Sequence, residues 1–184
     1  TAFIALALAL FIAYGRRLFP SRLAQVSSRV LGLGYALPGT VVAIGVLVPF
    51  TFLDNKVSAF MVSRFDYNTG LLLSGTVFIL VFAYLVRFLP IALNTVDAGL
   101  AKVRPSMDEA GRSMGLSPLQ MMRRVHVPIM RGSLATALLL VFVDVLKELP
   151  ATLLLRPFNF NTLAIRTFEL ANEERLADAA GPAL

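Results

Sequence analysis

The sequence predicts an all-α integral membrane protein, a bundle of spanning helices, and three observations carry that reading. Of its 184 residues, 57% are hydrophobic and only 15% are charged, with a mean hydropathy of +0.76, which is far from the balance of a soluble globular domain. Residues 30–53 and 67–86 are free of charge, and each exceeds or matches the roughly 20 residues a helix needs to cross a hydrocarbon core of about 30 Å. The basic residues are interleaved with these stretches and have no aromatic stacking motif or recognition-helix pattern beside them, so the net charge of +6 does not point to nucleic acid.

Residues 1–15 carry no charge and run into Arg16 and Arg17. They are slightly short for a span and do not begin with Met, so they read as a partial spanning helix; a cleavable signal peptide would place its basic region before the apolar run. If Arg16 to Arg29 lie on one side, residues 30–53 cross and residues 67–86 return, which leaves Arg87 to Arg131 on the starting side. That side then holds 11 basic and 3 acidic residues, a balance of +8, and the other holds 6 basic and 8 acidic, a balance of −2. Cytoplasmic loops are enriched in Lys and Arg, so residues 87–131 are expected in the cytoplasm. A further span is expected over 132–149. Pro157, Asn159, Asn161 and Thr162 then interrupt the apolar character, and residues 162–180 read as short amphipathic helical pieces within an external or re-entrant segment, 150–184. Pro38, Gly39, Gly45 and Pro49 predict kinks and close helix contacts.

The chain has no Cys and one His, His126, so neither a disulfide framework nor a thiolate metal site can form, and His126 alone cannot build a metal site. It reads as a helix-end residue more readily than as a proton switch.

Ser106-Met107-Asp108-Glu109 has the form of a capping box and predicts a helix start near Met107. Gly115 suits a left-handed closing residue, and Ser117-Pro118 supplies an N-cap and first-turn proline for a second helix. The expected arrangement is helix, sharp corner, helix, with Met107, Ala110, Gly111 and Met114 on one face of the first piece and Leu119, Met122 and Val125 on one face of the second. Met107, Met114, Met121 and Met122 could be ordinary core filling, but on a cytoplasmic excursion with no second domain to cover them a partner groove suits them better. Asp144, Lys147 and Glu148 fall on one stripe of a helix and read as an ion-pair set or as part of a pathway wall.

These residues also carry a resemblance. Glu109-Ala110-Gly111, then Gly115, then Val125-His126-Val127-Pro128 resembles the EAA loop of ABC importer permeases in register throughout, with Gly111 in place of Ala, Val125 in place of Ile and Val127 in place of Leu. The likeness extends to residues 35–43 and 147–157, where the chain is similar to the second half of ferric iron permeases without its final spanning helix; thiamine permeases are close relatives. The resemblance implies a multi-pass protein of the bacterial inner (plasma) membrane whose cytoplasmic helix pair is a coupling-helix (EAA) loop seated in a groove of an ABC ATPase subunit. Glu109, Ala110, Gly111, Gly115, Val125, Val127 and Pro128 would mark the coupling site, although Glu109 could act as a capping residue and no more. It further implies an external substrate-binding protein and another permease half as partners, ferric iron as substrate, and thiamine or another small solute as the alternative. No Gly-x-x-x-x-Gly-Lys-Ser/Thr phosphate loop occurs in the sequence. The chain is therefore expected to be no enzyme and to carry no cofactor, with ATP and Mg on the partner ATPase. An ion-coupled secondary transporter is an alternative of another class; Asp144 and Glu148 would be its acidic groups, and they lie off-centre in their span.

Overall fold

The computed structural model describes residues 1–19 and 30–183, and all regular structure among them is helical. The elements are α1 (Ala2–Leu18), α2 (residues 30–36), α3 (Gly39–Phe65), α4 (Val77–Leu100), α5 (Pro105–Ser113), α6 (Pro118–Met121), a π turn (Met122–His126), α7 (Val127–Lys147), α8 (Pro150–Leu155), α9 (Leu163–Asn172) and α10 (Leu176–Ala183). Among the described residues three helical stretches are long and apolar enough to cross a membrane: Gly39–Phe65, Val77–Leu100 and Pro118–Lys147, the last running through α6, the π turn and α7. Arg22 and Arg29, counted above on the basic side, lie outside the described residues.

The helix limits differ from those expected, and each difference has a local cause. The apolar run 30–53 breaks at Leu37-Pro38, because a proline disfavours helical geometry at the residue before it, and α3 then continues past residue 53 through Asp54 and Lys56. The return helix begins at Val77 instead of residue 67, since Asn68, Gly70, Ser74 and Gly75 form a loop with Gly70 and Gly75 at positive φ. It also runs on through Arg87 and Asp97 to Leu100. The final span, expected over 132–149, starts much earlier and ends at Lys147, just ahead of Pro150. In the last segment, where short helical pieces are expected over 162–180, the helices are α9 and α10, and α8 precedes them.

The chain divides into two compact units. One comprises Thr1–Leu33 and Phe88–Val143. Within it, Ala5, Ala9 and Ala13 make a fully buried stripe of small residues on α1, and Leu10, Ala13, Val96, Leu100, Val127 and Met130 from α1, α4 and α7 line one small cavity. Gly99 of α4 lies so close to α7 that a Cβ there would come within 2.7 Å of the Ser133 Cβ. Small residues that let helix backbones approach are the usual packing device in lipid, where burying apolar side chains between helices gains little over leaving them in hydrocarbon.

The second unit comprises Gly34–Arg87 and Asp144–Leu184. Three of its buried side chains, Asp54, Tyr84 and Glu148, are paired within the unit. Asp54, 1% exposed, accepts hydrogen bonds from the backbone N–H groups of Leu73 (3.0 and 3.2 Å) and Ser74 (2.7 Å), and thereby closes the 66–76 loop onto α3. The Tyr84 hydroxyl is hydrogen-bonded to Thr152. Arg87 on α4 forms an ion pair with Glu148 (3.0 Å) and donates to the carbonyl of Leu37 at the α2–α3 break.

Glu148 is 6% exposed and also accepts from the Ala151 N–H at 3.1 Å, and a Cβ on Gly39 would overlap its carboxylate. The expected pairing of Asp144, Lys147 and Glu148 with one another does not form among the described residues: α7 stops at Lys147 and the carboxylate of Glu148 turns to Arg87. Removing one partner of a buried pair strands the other, at roughly 3–5 kcal/mol. The variant Glu148→Leu should therefore lower the thermal stability of the intact permease more than the double variant Arg87→Met, Glu148→Leu does. Equal losses in the two, read from thermal inactivation in detergent, would show that the pair is not the source.

Candidate functional site

The site is built around the corner between α5 and α6. Helix α5 starts at Pro105, one residue before the expected box, with Arg104 as N-cap and no side-chain cap. A proline is well suited to the first helical position because its missing N–H would be unpaired there anyway. Ser106 consequently falls inside the helix, and the Ser106–Glu109 capping box is not formed. The capping box lies at the second helix: the Ser117 hydroxyl accepts from the Gln120 N–H at 3.3 Å, and the Gln120 side chain accepts from the Ser117 N–H at 2.9 Å.

Gly115 sits at φ +77°, with Leu116 N–H donating to the Gly111 carbonyl at 3.0 Å and Gly115 N–H to Arg112 at 2.9 Å. Those two bonds make a Schellman closure, which requires the left-handed residue that Gly115 supplies. The two helices meet at Gly111, whose Cα face is covered by the Met121 side chain; a Cβ at 111 would overlap Met121 Cε and lie 2.9 Å from its sulfur. The substitution of Gly for the Ala of the EAA pattern thus has a steric counterpart in Met121.

The expected docking edge divides in two. Gly111 and Met121 are buried against each other, while Met107, Met114 and Leu119 are exposed, Met114 at 72%. Glu109 and Ala110 are exposed on α5, Val125 and Val127 are half-buried, and Pro128 is exposed near the start of α7. Pro128 has no N–H to donate to residue 124 and its ring crowds that carbonyl. The backbone just ahead of it widens into the π turn, with Val127 N–H donating to the Met122 carbonyl.

A cluster outside the motif ties the corner down. The Arg17 guanidinium at the end of α1 donates from Nε to Asp108 Oδ2 (2.8 Å), from Nη1 to the Leu100 carbonyl (3.0 Å) and from Nη2 to the Val103 carbonyl (2.9 Å). Nη2 also lies 2.7 Å from Asp108 Oδ2. The other carboxylate oxygen of Asp108 is 2.6 Å from Nε2 of His126, a bond in which the ring proton resides on Nε2, and His126 is 2% exposed. Burial raises the pKa of Asp108, but the hydrogen bonds and charges of Arg17 and His126 outweigh it and hold the carboxyl below its ordinary value.

Beside this cluster, the Tyr14 hydroxyl donates to the Pro118 carbonyl at 2.6 Å and the Tyr14 ring stands edge-on to His126, 5.4 Å between centroids. Arg16 pairs with Asp97 on α4. The sequence reading missed Arg17 and Asp108 as site residues and took His126 for a helix end. The partners are 91 and 18 residues apart, so no local spacing could have joined them. A β-branched residue resists the left-handed region at roughly 1–3 kcal/mol. Gly115→Val should therefore loosen the corner and speed amide hydrogen exchange across α5 about tenfold or more, whereas unchanged exchange would mean that the closure does not hold the corner.

Residues 5–172 match the family described as "Binding-protein-dependent transport system inner membrane component". Over 109 residues, 59% of this chain and 22% of the relative, the chain is 34% identical to the Fe(3+)-transport system permease protein FbpB 2 of Haemophilus influenzae. Over 153 residues, 83% of this chain and 52% of the relative, it is 28% identical to the putative 2-aminoethylphosphonate transport system permease protein PhnV of Salmonella typhimurium. It is 26% identical to the ferric transport system permease protein FbpB of Actinobacillus pleuropneumoniae over 67% of this chain and 16% of that one. The chain thus spans from about a sixth to about half of the length of these relatives. With the match covering most of its length, the chain belongs to the binding-protein-dependent transport system inner membrane component family.

Proposed function

We propose that the chain is the membrane-spanning permease part of an ATP-driven ABC importer of the bacterial inner membrane, which passes a substrate delivered by an external binding protein into the cytoplasm. The observation that carries this reading is the α5–α6 corner. It is closed by Gly115, capped by Ser117 and held from behind, and it leaves Met107, Met114 and Leu119 exposed at 38%, 72% and 58%. Apolar side chains raised on a fixed corner suit a groove on a partner. In this reading the partner is the ATPase subunit, where ATP and Mg reside, and a second permease half completes the pathway. The family assignment favours this over the ion-coupled secondary transporter.

Ferric iron is the substrate favoured by the 34% identity to an Fe(3+)-transport permease. A second reading, an aminophosphonate, is favoured by the longer alignment with the 2-aminoethylphosphonate permease. The two are separated by loading proteoliposomes that contain the intact transporter with ATP and supplying ferric ion or 2-aminoethylphosphonate on the cognate binding protein. ATP-dependent accumulation of iron alone is expected; accumulation of the phosphonate alone would replace iron as the substrate. In the same preparation Met114→Asp, Leu119→Asp should lower ATPase affinity by at least about tenfold, the scale of losing an interface anchor, with membrane insertion unchanged. Full retention of the ATPase by that double variant would remove the corner from the interface.

A further inference from the structure

The corner contains two places where a helix path can bend. One is Gly115, the left-handed residue between α5 and α6, and the other is the π turn Met122–His126 between α6 and α7. π turns inside α-helices leave the regular i to i−4 ladder and recur at functional sites. If the exposed corner is pushed, both places can absorb the displacement before it reaches α7. The Asp108 carboxylate bridges the two: it sits on α5 ahead of the glycine and bonds His126, the last residue of the π turn, at 2.6 Å.

Arg17 then fixes that bridge to the rest of its unit. Its donors reach Asp108 on α5, the carbonyl of Leu100 that ends α4, and the carbonyl of Val103 in the link from α4 to α5. Arg17, Asp108 and His126 side chains are 20%, 16% and 3% exposed, so the bonds are largely shielded from water, where charge-assisted pairs are stronger than at an open surface. Tyr14 adds a second tie from α1 to the first residue of α6 through the Pro118 carbonyl.

We propose that Arg17, Asp108 and His126 are positioning residues for energy coupling, which lock the α5–α6 corner to α1, α4 and α7 so that a push on the corner moves these elements together. The proposal rests on the functional reading above, in which the push comes from the ATPase. It assigns Asp108, rather than the neighbouring motif residue Glu109, the task of holding the corner, and leaves Glu109 exposed toward the partner side.

The test uses the intact permease with its ATPase in lipid nanodiscs. These 184 residues contain no cysteine; with any cysteine elsewhere in the permease or in the ATPase replaced by serine, spin labels at Ser113→Cys on α5 and Thr136→Cys on α7 report one distance. In the parent that distance should stay the same with and without ATP bound. In Asp108→Asn it should change with nucleotide, while the ATPase remains bound and hydrolysing. Substrate moved per ATP, measured on the same variants in sealed proteoliposomes with whichever of ferric ion and 2-aminoethylphosphonate the parent accumulates, should fall about tenfold, the scale of typical coupling energies.

Arg17→Lys keeps the charge but loses the planar fork of donors, and should show the same change in distance and ratio; Asp108→Glu should restore much of the parent's behaviour. A parent distance that already changes with nucleotide would overturn the proposal, as would parent-like distance and transport ratio in both Asp108→Asn and Arg17→Lys. Loss of assembly in Asp108→Asn and Arg17→Lys alike would also overturn it, by making the cluster a folding element only. Failure of the parent to bind the ATPase would instead defeat the functional reading, and the proposal with it.

Discussion

Hydrocarbon offers no water to a polar group, and that constraint governs how this chain accommodates Asp54, Arg87 and the break at Leu37-Pro38. The interruption at Leu37-Pro38 frees a carbonyl, and Arg87 donates to it. Arg87 is itself a cation in the middle of an apolar helix, and Glu148 answers it. Glu148 has no room unless residue 39 lacks a side chain, which Gly39 provides. Asp54 repeats the pattern at another place, with its carboxylate spent on the backbone N–H groups that the 66–76 loop leaves unpaired. Break, charge and glycine are thus one connected set in the second unit, and changing any of them exposes the others.

The first unit uses charge differently. The cations at the end of α1 hold structure in place: Arg16 reaches Asp97 on α4, and Arg17 reaches two carbonyls and Asp108. Basic side chains at a helix C-terminus also oppose the negative end of its dipole. The consequence is a corner tied on its inward side by Arg17 and Asp108, with Met107, Met114 and Leu119 exposed beside Glu109 and Arg112 on its outward side and Gly111 and Met121 packed between. Such a corner suits a part that must accept force from a partner and deliver it to helices.

How much of this could be read from the sequence follows from the range of the interactions. The all-α membrane class was legible because hydropathy is a sum over many residues. The Gly115 closure and the Ser117-Pro118 start were legible because each depends on residues within one turn. Helix ends are poorly legible, because an uncharged stretch does not measure a span when Arg87 and Asp54 are carried inside helices by partners that the sequence does not place nearby. The Ser106–Glu109 spacing fits a capping box, but Pro105 takes the first helical position and Arg104 the N-cap, two residues ahead of the start that box requires. The Arg17–Asp108–His126 cluster was out of reach altogether, since it exists only once α1, α5 and the π turn have come together.

The proposed function turns on topology: it requires the α5–α6 corner on the cytoplasmic face, and the charge balance of +8 against −2 puts the 66–76 loop on the outside. These 184 residues hold no cysteine, so with any cysteine elsewhere in the permease replaced by serine, Tyr67→Cys and Ser113→Cys, both at exposed positions, can be labelled one at a time in intact cells with a membrane-impermeant thiol reagent. The account predicts that Tyr67→Cys reacts from outside and that Ser113→Cys reacts only after the membrane is opened. Reaction of both positions from the same side, or of Ser113→Cys alone from outside, would contradict it.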